Sequence, residues 1–134
     1  TELAIAADGF DGLGVEPATF AAELAFGAVA RGWRFDRYKT KTPEEKKPTL
    51  KKVTILTDAK GAKKAWDKLE KVADGVFLTR DVVSEPPNVL YPETFAERCA
   101  ALKDLGLEVE ILDEKKMKKL GMGALLGVGQ GSAK

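Results

Sequence analysis

The feature that most constrains this chain is one long amphipathic helix near its middle. Apolar residues recur at gaps of three and four from Ala62 to Val83, interrupted at Gly75. The Pro-Pro pair at 86–87 ends the pattern, because proline has no amide hydrogen to donate inside a helix. At 1.5 Å per residue, a helix of about 24 residues is about 36 Å long. The pattern therefore predicts a connector helix between two bodies, with Asp58 as its candidate N-cap.

Ahead of the connector helix, the sequence predicts a strand, a helix and a second strand. Residues 3–7 form a short apolar run, and residues 53–57 form a β-branched run bounded by charged residues. Between them, Pro17 suits the first position of a helix, and apolar residues follow at helical spacing to about Arg31. We predict that the strand at 53–57 is buried.

The last third of the chain alternates between helix and strand patterns. Pro92 opens a helix that ends at Gly106, and residues 107–111 alternate as in a strand with one solvated face. Asp113 is a candidate cap for a short helix, and residues 124–128 are predicted as the next strand. The order helix, strand, helix, strand is typical of a sheet with crossover connections, so the predicted fold class is α/β.

Composition excludes several kinds of site. The 134 residues include 22 Lys and Arg, 21 Asp and Glu, one Cys and no His, with a net charge of +1. Without His there is no Ser-His-Asp or Cys-His catalysis, and a single Cys excludes an internal disulfide and a four-Cys zinc site. The near-zero charge argues against a globally basic nucleic-acid-binding protein, and the apolar runs are far shorter than a membrane span.

The remaining candidate sites have plainer structural interpretations. The glycine-rich run at 127–132 lacks the spacing of a dinucleotide or P-loop motif, so we expect close backbone packing there. Asp58 stands beside Lys60, and a neighbouring cation disfavours a two-metal site. Cys99 lies on an apolar helix stripe, where a buried thiol is expected. The residues alone assign no catalytic constellation, since the carboxylates at 108–113 fit a solvated strand face and a helix cap.

One surface segment has the composition of a binding site. Residues 37–52 contain seven cationic side chains against Glu44 and Glu45. The cations, together with Tyr38, are candidates for phosphate contacts, whose affinity would depend on salt. A solvated lysine-rich loop is the other interpretation. The alternative function is therefore a non-catalytic binding module that contacts nucleic acid through this segment. Its lysines are Lys39, Lys41, Lys46, Lys47, Lys51 and Lys52.

Both ends of the sequence favour a piece of a longer protein. Thr1 is not an initiator Met, and the glycine-rich run stops at Lys134 without a closing helix or strand. A natural small domain with a processed start is the alternative. A truncated sheet would leave an unpaired edge and an exposed apolar helix face. A third hypothesis is therefore that the chain is stable only beside the remainder of its protein.

Four short stretches of the sequence are, by their order and spacing together, specific to one protein family. They are RFDRYKTK at 34–41, TRDVVSEPPN at 79–88, YPETFA at 91–96 and LGMGALLGVGQGS at 120–132. Together they resemble the leucyl (cytosol) aminopeptidases, two-metal enzymes that remove N-terminal residues from peptides. The resemblance covers nearly the whole chain.

The resemblance implies an order of domains. In this family an N-terminal α/β domain, similar in fold to macro domains, is joined by a long helix to a catalytic domain. Residues 1–60 would then be the C-terminal part of the N-terminal domain. Residues 61–85 would be the interdomain linker helix, and residues 86–134 the truncated start of the catalytic domain.

The resemblance also implies two divalent ions, zinc or manganese, held by Lys, Asp and Glu side chains. The family's Asn-Thr-Asp-Ala-Glu-Gly-Arg motif has only a superficial match here at 56–62, with Lys60 in place of the metal-binding Glu and Ala62 in place of the Arg. No catalytic, cofactor-binding or metal-binding residue is therefore carried over to this chain. The 134 residues alone are expected to be inactive and to hold neither ion.

The family implies further partners for the parent enzyme. They are the remainder of the catalytic domain, a peptide substrate and further copies in a homo-hexamer, in the cytoplasm and without a membrane. Some members bind a further ion through main-chain groups at the end of the connector. The matching positions here are Val82, Val83 and Glu85, where Glu replaces a Thr.

Overall fold

A strand, a helix and a second strand form the first part of the chain, as the sequence predicts. In a computed structural model, which describes residues 1–10, 12 and 14–132, strand β1 (Glu2–Ala6) precedes helix α1 (Pro17–Gly32). A 3₁₀ turn at Glu44–Lys46 then leads to strand β2 (Lys52–Leu56). The two strands pair in parallel, because α1 carries the chain back across the sheet.

Helix α1 begins where proline and a capping side chain allow it. Pro17 occupies the first helical position, and the Glu16 carboxylate accepts a hydrogen bond from the Thr19 backbone N–H at 2.9 Å. That bond, followed by one from the Ala18 backbone, lowers the pKa of Glu16. On the opposite side of the helix, small side chains are buried. They are Ala18, Ala21 and Ala22.

The predicted long helix is confirmed, although its start differs from the prediction. Helix α2 runs over Ala62–Ser84 and packs along α1, and its buried residue is Ala73. Asp58 is not its N-cap, so that prediction is wrong. The backbone N–H of Asp58 donates instead to the carboxylate of Asp8, at 3.2 and 3.3 Å. Gly61, at φ 93°, then makes the left-handed turn that precedes the helix.

The described part of the second half is helical. Helix α3 spans Pro92–Ala100 and continues as a 3₁₀ turn, Ala101–Leu105, which ends at Gly106 with φ 85°. Helix α4 spans Glu114–Lys119, and helix α5 spans Gly123–Gly129. The chain forms two compact units, Thr1–Ser84 and Glu85–Lys134.

Both predicted strands of the second unit are wrong. Residues 107–111 have no regular structure, since a strand needs a hydrogen-bonded neighbour and the described residues of this unit contain none. Residues 124–128 lie within α5, because a short apolar run has no period that separates strand from helix, and Ala and Leu favour the helix. The chain is therefore mixed α/β, with its sheet in the first unit.

Little of the chain is deeply buried. Across the described residues, the buried apolar side chains are all alanines, whereas Val83, Leu105 and Val128 are 79%, 77% and 80% exposed. The prediction that β2 is buried is wrong: its three central residues are half-buried and its two ends are exposed. The cause is that β2 has β1 as its neighbour on one edge alone among the described strands. None of the described helices combines the length and apolar character of a membrane span.

Candidate functional site

Two of the family-like stretches meet at one carboxylate in the first unit. Trp33 Nε1 donates to Asp81 Oδ1 at 2.9 Å, and Arg37 Nη2 lies 3.5 Å from Asp81 Oδ2. Arg80 Nη1 donates to the Ala30 carbonyl at 2.7 Å, with its guanidinium 5.7 Å from the centre of the Trp33 ring. We call Trp33, Arg37, Arg80 and Asp81 the Asp81 cluster. It ties the segment after α1 to the last turns of α2.

The rest of stretch 34–41 supports this cluster with its own ion pairs and ring contacts. The Phe35 ring lies 6.4 Å from Trp33 and 5.8 Å from Tyr38. Asp36 accepts from Arg34 Nε at 2.5 Å and from Lys39 Nζ at 2.6 Å. These two bonds, the Arg34 bond first, lower the pKa of Asp36. Asp36 therefore pairs with two of the four cations of the stretch, and a third, Arg37, pairs with Asp81 outside it.

An apolar cleft of about 610 Å³ lies between α1, β2 and the start of α2. We call it the β2 cleft. Lys63 is one of the residues that line the cleft. Its ammonium donates to Asp67 Oδ1 at 2.8 Å, and this bond raises the pKa of Lys63. The other lining groups are mainly apolar, which makes the cleft a packing surface without a converging set of polar groups. They include Ala22, Val29, Val53, Ile55 and Trp66.

A smaller cavity of about 200 Å³ lies at the carboxyl end of β1. Phe10 and Phe20 meet there with ring centres 5.1 Å apart. Asp8, which also lines it, accepts from the Thr57 hydroxyl at 2.9 Å. Because the Asp8 carboxylate is negative, the cavity disfavours a phosphate or another anion.

The basic segment 37–52 is an exposed surface with local ion pairs. Lys39 pairs with Asp36, and Lys47 pairs with Glu44 three residues before it. The start of the chain also joins this region, since the backbone nitrogen of Thr1 donates to the Thr49 carbonyl at 2.8 Å. These pairs reduce the positive field that phosphate contacts need. They favour the interpretation of a solvated loop.

A buried ion pair that the sequence did not reveal lies at the start of the second unit. The Glu85 side chain is fully buried, and its Oε1 lies 3.0 Å from Nη2 of Arg98 on α3. Glu85 is one of the positions matched to the family's further ion; that match concerns main-chain groups, and the Glu85 carboxylate pairs with Arg98. The signal in the sequence was the Glu in place of Thr, although nothing in the sequence paired it with Arg98.

The remaining predicted residues are separate from one another. Cys99 is half-buried on α3, and Glu108 and Glu110 are exposed. Asp113 caps α4, as predicted, by accepting from the Lys116 backbone N–H at 2.7 Å. The structure therefore brings no acid/base pair together from these candidates.

The glycine-rich run is helical rather than a loop around a phosphate. Gly127 and Gly129 lie in α5, and an added Cβ at either would meet no heavy atom within 4 Å. The predicted close backbone packing is therefore wrong for the described residues. Across residues 1–10, 12 and 14–132, no three Cys, Asp or Glu side chains converge as metal ligands.

Comparison with known proteins gives the chain a family. Residues 77–134 match the model of the catalytic domain of the cytosol aminopeptidase family. A "Probable cytosol aminopeptidase" of Bradyrhizobium sp. is 56% identical over 115 residues, covering 85% of this chain and 23% of the relative. One of Caulobacter vibrioides is 51% identical over 123 residues, covering 91% of the chain and 25% of the relative.

Solved structures agree with the sequence matches. The bottromycin maturation enzyme BotP superposes with a TM-score of 0.79 at 30% identity, over 99% of this chain and 28% of that one. The same enzyme in complex with Mn superposes with a TM-score of 0.79 at 29% identity. This chain thus spans about a quarter of the length of the curated relatives that it matches. From sequence and structure together, the chain belongs to the cytosol aminopeptidase family.

Proposed function

We propose that this chain is part of a metal-dependent leucyl aminopeptidase, an enzyme that removes N-terminal amino acids from peptides. The observation that carries the proposal is the 56% identity to a cytosol aminopeptidase over 115 residues. The match to the family's catalytic domain, which begins inside α2 at residue 77, supports it.

Within that enzyme, the chain contributes scaffold, linker and the start of the catalytic domain. Residues 1–60 are the C-terminal part of an N-terminal domain with a macro-domain-like fold, a proposal supported by the parallel β1-α1-β2 unit. Residues 61–85 are the linker helix, supported by the unbroken helix α2 and by the unit boundary after Ser84. Residues 86–134 are the start of the catalytic domain.

The proposed enzyme uses two divalent ions, zinc or manganese, and a solved structure of the similar enzyme BotP is in complex with Mn. The described residues of this chain offer no converging set of ligands for either ion. The ions are therefore assigned to other parts of the longer protein, and no chemical step is assigned to residues of this chain. The role proposed for this chain is to position the structural elements of the enzyme that carry the active site.

The peptide substrate, the homo-hexamer and the cytoplasmic location belong to the same proposal. Support for the substrate and the location comes from the relatives, which are named cytosol aminopeptidases. The exposed apolar side chains of the described residues are compatible with contacts to the remainder of the enzyme and to further copies.

A parallel assay of two polypeptides tests this proposal. The 134-residue chain and the longer protein that contains it are each given a leucine p-nitroanilide substrate with Mn²⁺ or Zn²⁺. We expect turnover by the longer protein, with loss of turnover after chelation, and none by the 134-residue chain. Turnover by the short chain would show that it holds an active site, and an inactive longer protein would refute the assigned activity.

A further inference from the structure

We propose that the cavity at the carboxyl end of β1 binds a small organic cation, a free molecule that carries an alkylated ammonium group. We call this space of about 200 Å³ the Asp8 cavity. The inference goes beyond the proposed function and does not rest on it, because it needs no peptidase chemistry. It assigns a binding site and the chemical class of its ligand.

The Asp8 cavity lies where ligands commonly bind in this class of fold. Strands β1 and β2 are parallel, and the cavity is lined by residues 7–10 after β1 and by Ala59 after β2. The first turns of α1 contribute Pro17 and Phe20. In open α/β sheets, the crevice beyond the carboxyl ends of the strands is the usual place for a ligand.

Two phenylalanine rings make the lining attractive to an organic cation. The ring centres of Phe10 and Phe20 lie 5.1 Å apart, and their planes are tilted by 49°. Phe10 is 53% exposed, so a ligand that enters the cavity can reach it. The face of an aromatic ring carries partial negative charge and attracts cations, quaternary ammonium groups among them. The ring pair therefore favours an alkylated ammonium group over an anion.

The Asp8 carboxylate supplies a full negative charge beside these rings. It accepts from the Thr57 hydroxyl at 2.9 Å and from the Asp58 backbone N–H at 3.2 and 3.3 Å. Both donors are neutral, so they orient the carboxylate without cancelling its charge. Among the described residues, no Lys or Arg lines the cavity and no ion pair includes Asp8. A cationic ligand would therefore find an uncompensated anion.

The start of α1 does not oppose a cation, although it borders the cavity. A helix N-terminus carries partial positive charge, which by itself favours an anion. Here the Glu16 carboxylate caps the helix by accepting from the Thr19 backbone N–H at 2.9 Å. Glu16 stands in sequence between Val15 and Pro17, which both line the cavity. The cap therefore offsets the positive end of α1 with a second carboxylate.

The volume of the cavity limits the size of the ligand. Pockets for drug-sized molecules measure about 300–1,000 Å³, so a cavity of about 200 Å³ suits a smaller molecule. A trimethylammonium group matches the lining, because its charge complements the carboxylate and its methyl groups can contact the two rings. Choline carries this group and serves as the probe. Its neutral counterpart, 3,3-dimethyl-1-butanol, has the same shape without the charge.

Titration of the longer protein that contains this chain with choline chloride tests the proposal. Binding is followed by saturation-transfer NMR of the choline N-methyl signal, with NaCl keeping the ionic strength constant. We expect saturable binding with a Kd in the millimolar range. The neutral counterpart should bind weaker by about tenfold or more, because it lacks the attraction to the carboxylate and the rings. Absence of saturable choline binding would overturn the proposal, as would equal binding of the two probes.

Two pairs of matched variants locate the binding site. Asp8→Asn removes the charge but keeps an oxygen for the Thr57 hydroxyl, and Phe10→Leu removes one ring. The controls, Asp58→Asn and Phe26→Leu, remove the same groups from residues outside the lining. We expect each of the first two variants to weaken choline binding by about tenfold, and each control to change it by less than about twofold. Unchanged binding in Asp8→Asn and Phe10→Leu, or equal losses in a variant and its control, would contradict the assigned site.

Folding and peptidase activity are measured beside choline binding. The Tm of each variant without choline shows whether it is folded, and Phe10→Leu, at an exposed ring, tests the site independently of Asp8→Asn. Choline binding by a longer protein without aminopeptidase activity would uphold this inference and refute the assigned enzyme. An active enzyme that does not bind choline would refute this inference alone.

Discussion

At the scale of single residues, Asp81 joins two parts of the chain that are far apart in sequence. It accepts from Trp33 and pairs with Arg37, and its side chain is 34% exposed. A partly buried acceptor of this kind contributes more to the free energy of unfolding than a solvated ion pair does. The reason is that its removal leaves the indole N–H of Trp33 without its partner. The two family-like stretches at 34–41 and 79–88 therefore have a common structural purpose.

Replacing Asp81 by Ala should destabilise the first unit by about 1–2 kcal/mol through loss of the bond from Trp33. The matched control is Asp67→Ala in the same helix, whose carboxylate pairs with Lys63 on an exposed surface. The Asp67→Ala variant should lower the free energy of unfolding by about 0.5 kcal/mol or less. Both variants gain the same helix propensity, and the helix dipole acts against the expected difference, because Asp81 lies in the last turn of α2, where an anion is unfavourable. Urea unfolding followed by circular dichroism measures the difference, and equal losses would contradict the assigned contact.

Among the described residues of the second unit, Glu85 is the buried charged side chain, and its carboxylate pairs with Arg98. Glu85→Gln would leave the guanidinium without its anion, at a cost of about 2 kcal/mol, since Arg98 is 31% exposed and partly solvated. Glu97→Gln, on the exposed side of α3, is the control and should change little. The urea midpoint of the second unit reports both changes. An unchanged urea midpoint in the Glu85→Gln variant would show that the ion pair does not stabilise this unit.

At the scale of elements, helix α2 keeps its continuity in spite of a glycine. Gly75 lies mid-helix, and an added Cβ would meet no heavy atom within 4 Å. Gly75→Ala should therefore raise the stability by about 0.8–1 kcal/mol, the difference in helix propensity. Gly61→Ala is the opposing control and should destabilise, because Gly61 has a φ of 93°. Thermal unfolding of both variants measures the sign of each change in stability. A destabilising Gly75→Ala would contradict the prediction and would mean that the site is covered by a contact absent from the described residues.

Local patterns predicted α1, α2 and both strands of the first unit, but not where α2 begins. The helical period of α2 and the proline that opens α1 are properties of adjacent residues, so they are visible in the sequence. The Asp8 carboxylate that binds the Asp58 N–H is 50 residues away, and no local pattern shows it. The same reason explains why Arg98 was missed as the partner of Glu85. The strands predicted at 107–111 and 124–128 failed because alternation and apolar runs specify a strand only beside a pairing neighbour.

At the scale of the whole molecule, the chain exposes more surface than its length requires. Its accessible surface is 10620 Å². Two compact domains of 84 and 50 residues, the lengths of the two units, would together expose about 8300 Å² by the scaling of surface with mass. Because the buried apolar side chains of the described residues are alanines, the excess includes large apolar groups. The chain therefore lacks the burial that normally offsets the entropy of ordering.

The 134-residue chain should accordingly behave as an incompletely buried polypeptide. We expect it to bind an apolar dye such as ANS and to unfold in urea with a smaller m-value than a compact domain of its length, because less surface becomes exposed on unfolding. The longer protein, in which the remainder covers this surface, should bind little dye per residue and unfold with the m-value of its size. The control is each polypeptide in concentrated urea, where dye binding is lost in both. A short chain that remains monomeric, binds no dye and unfolds with a full m-value would show that these residues are a self-sufficient domain.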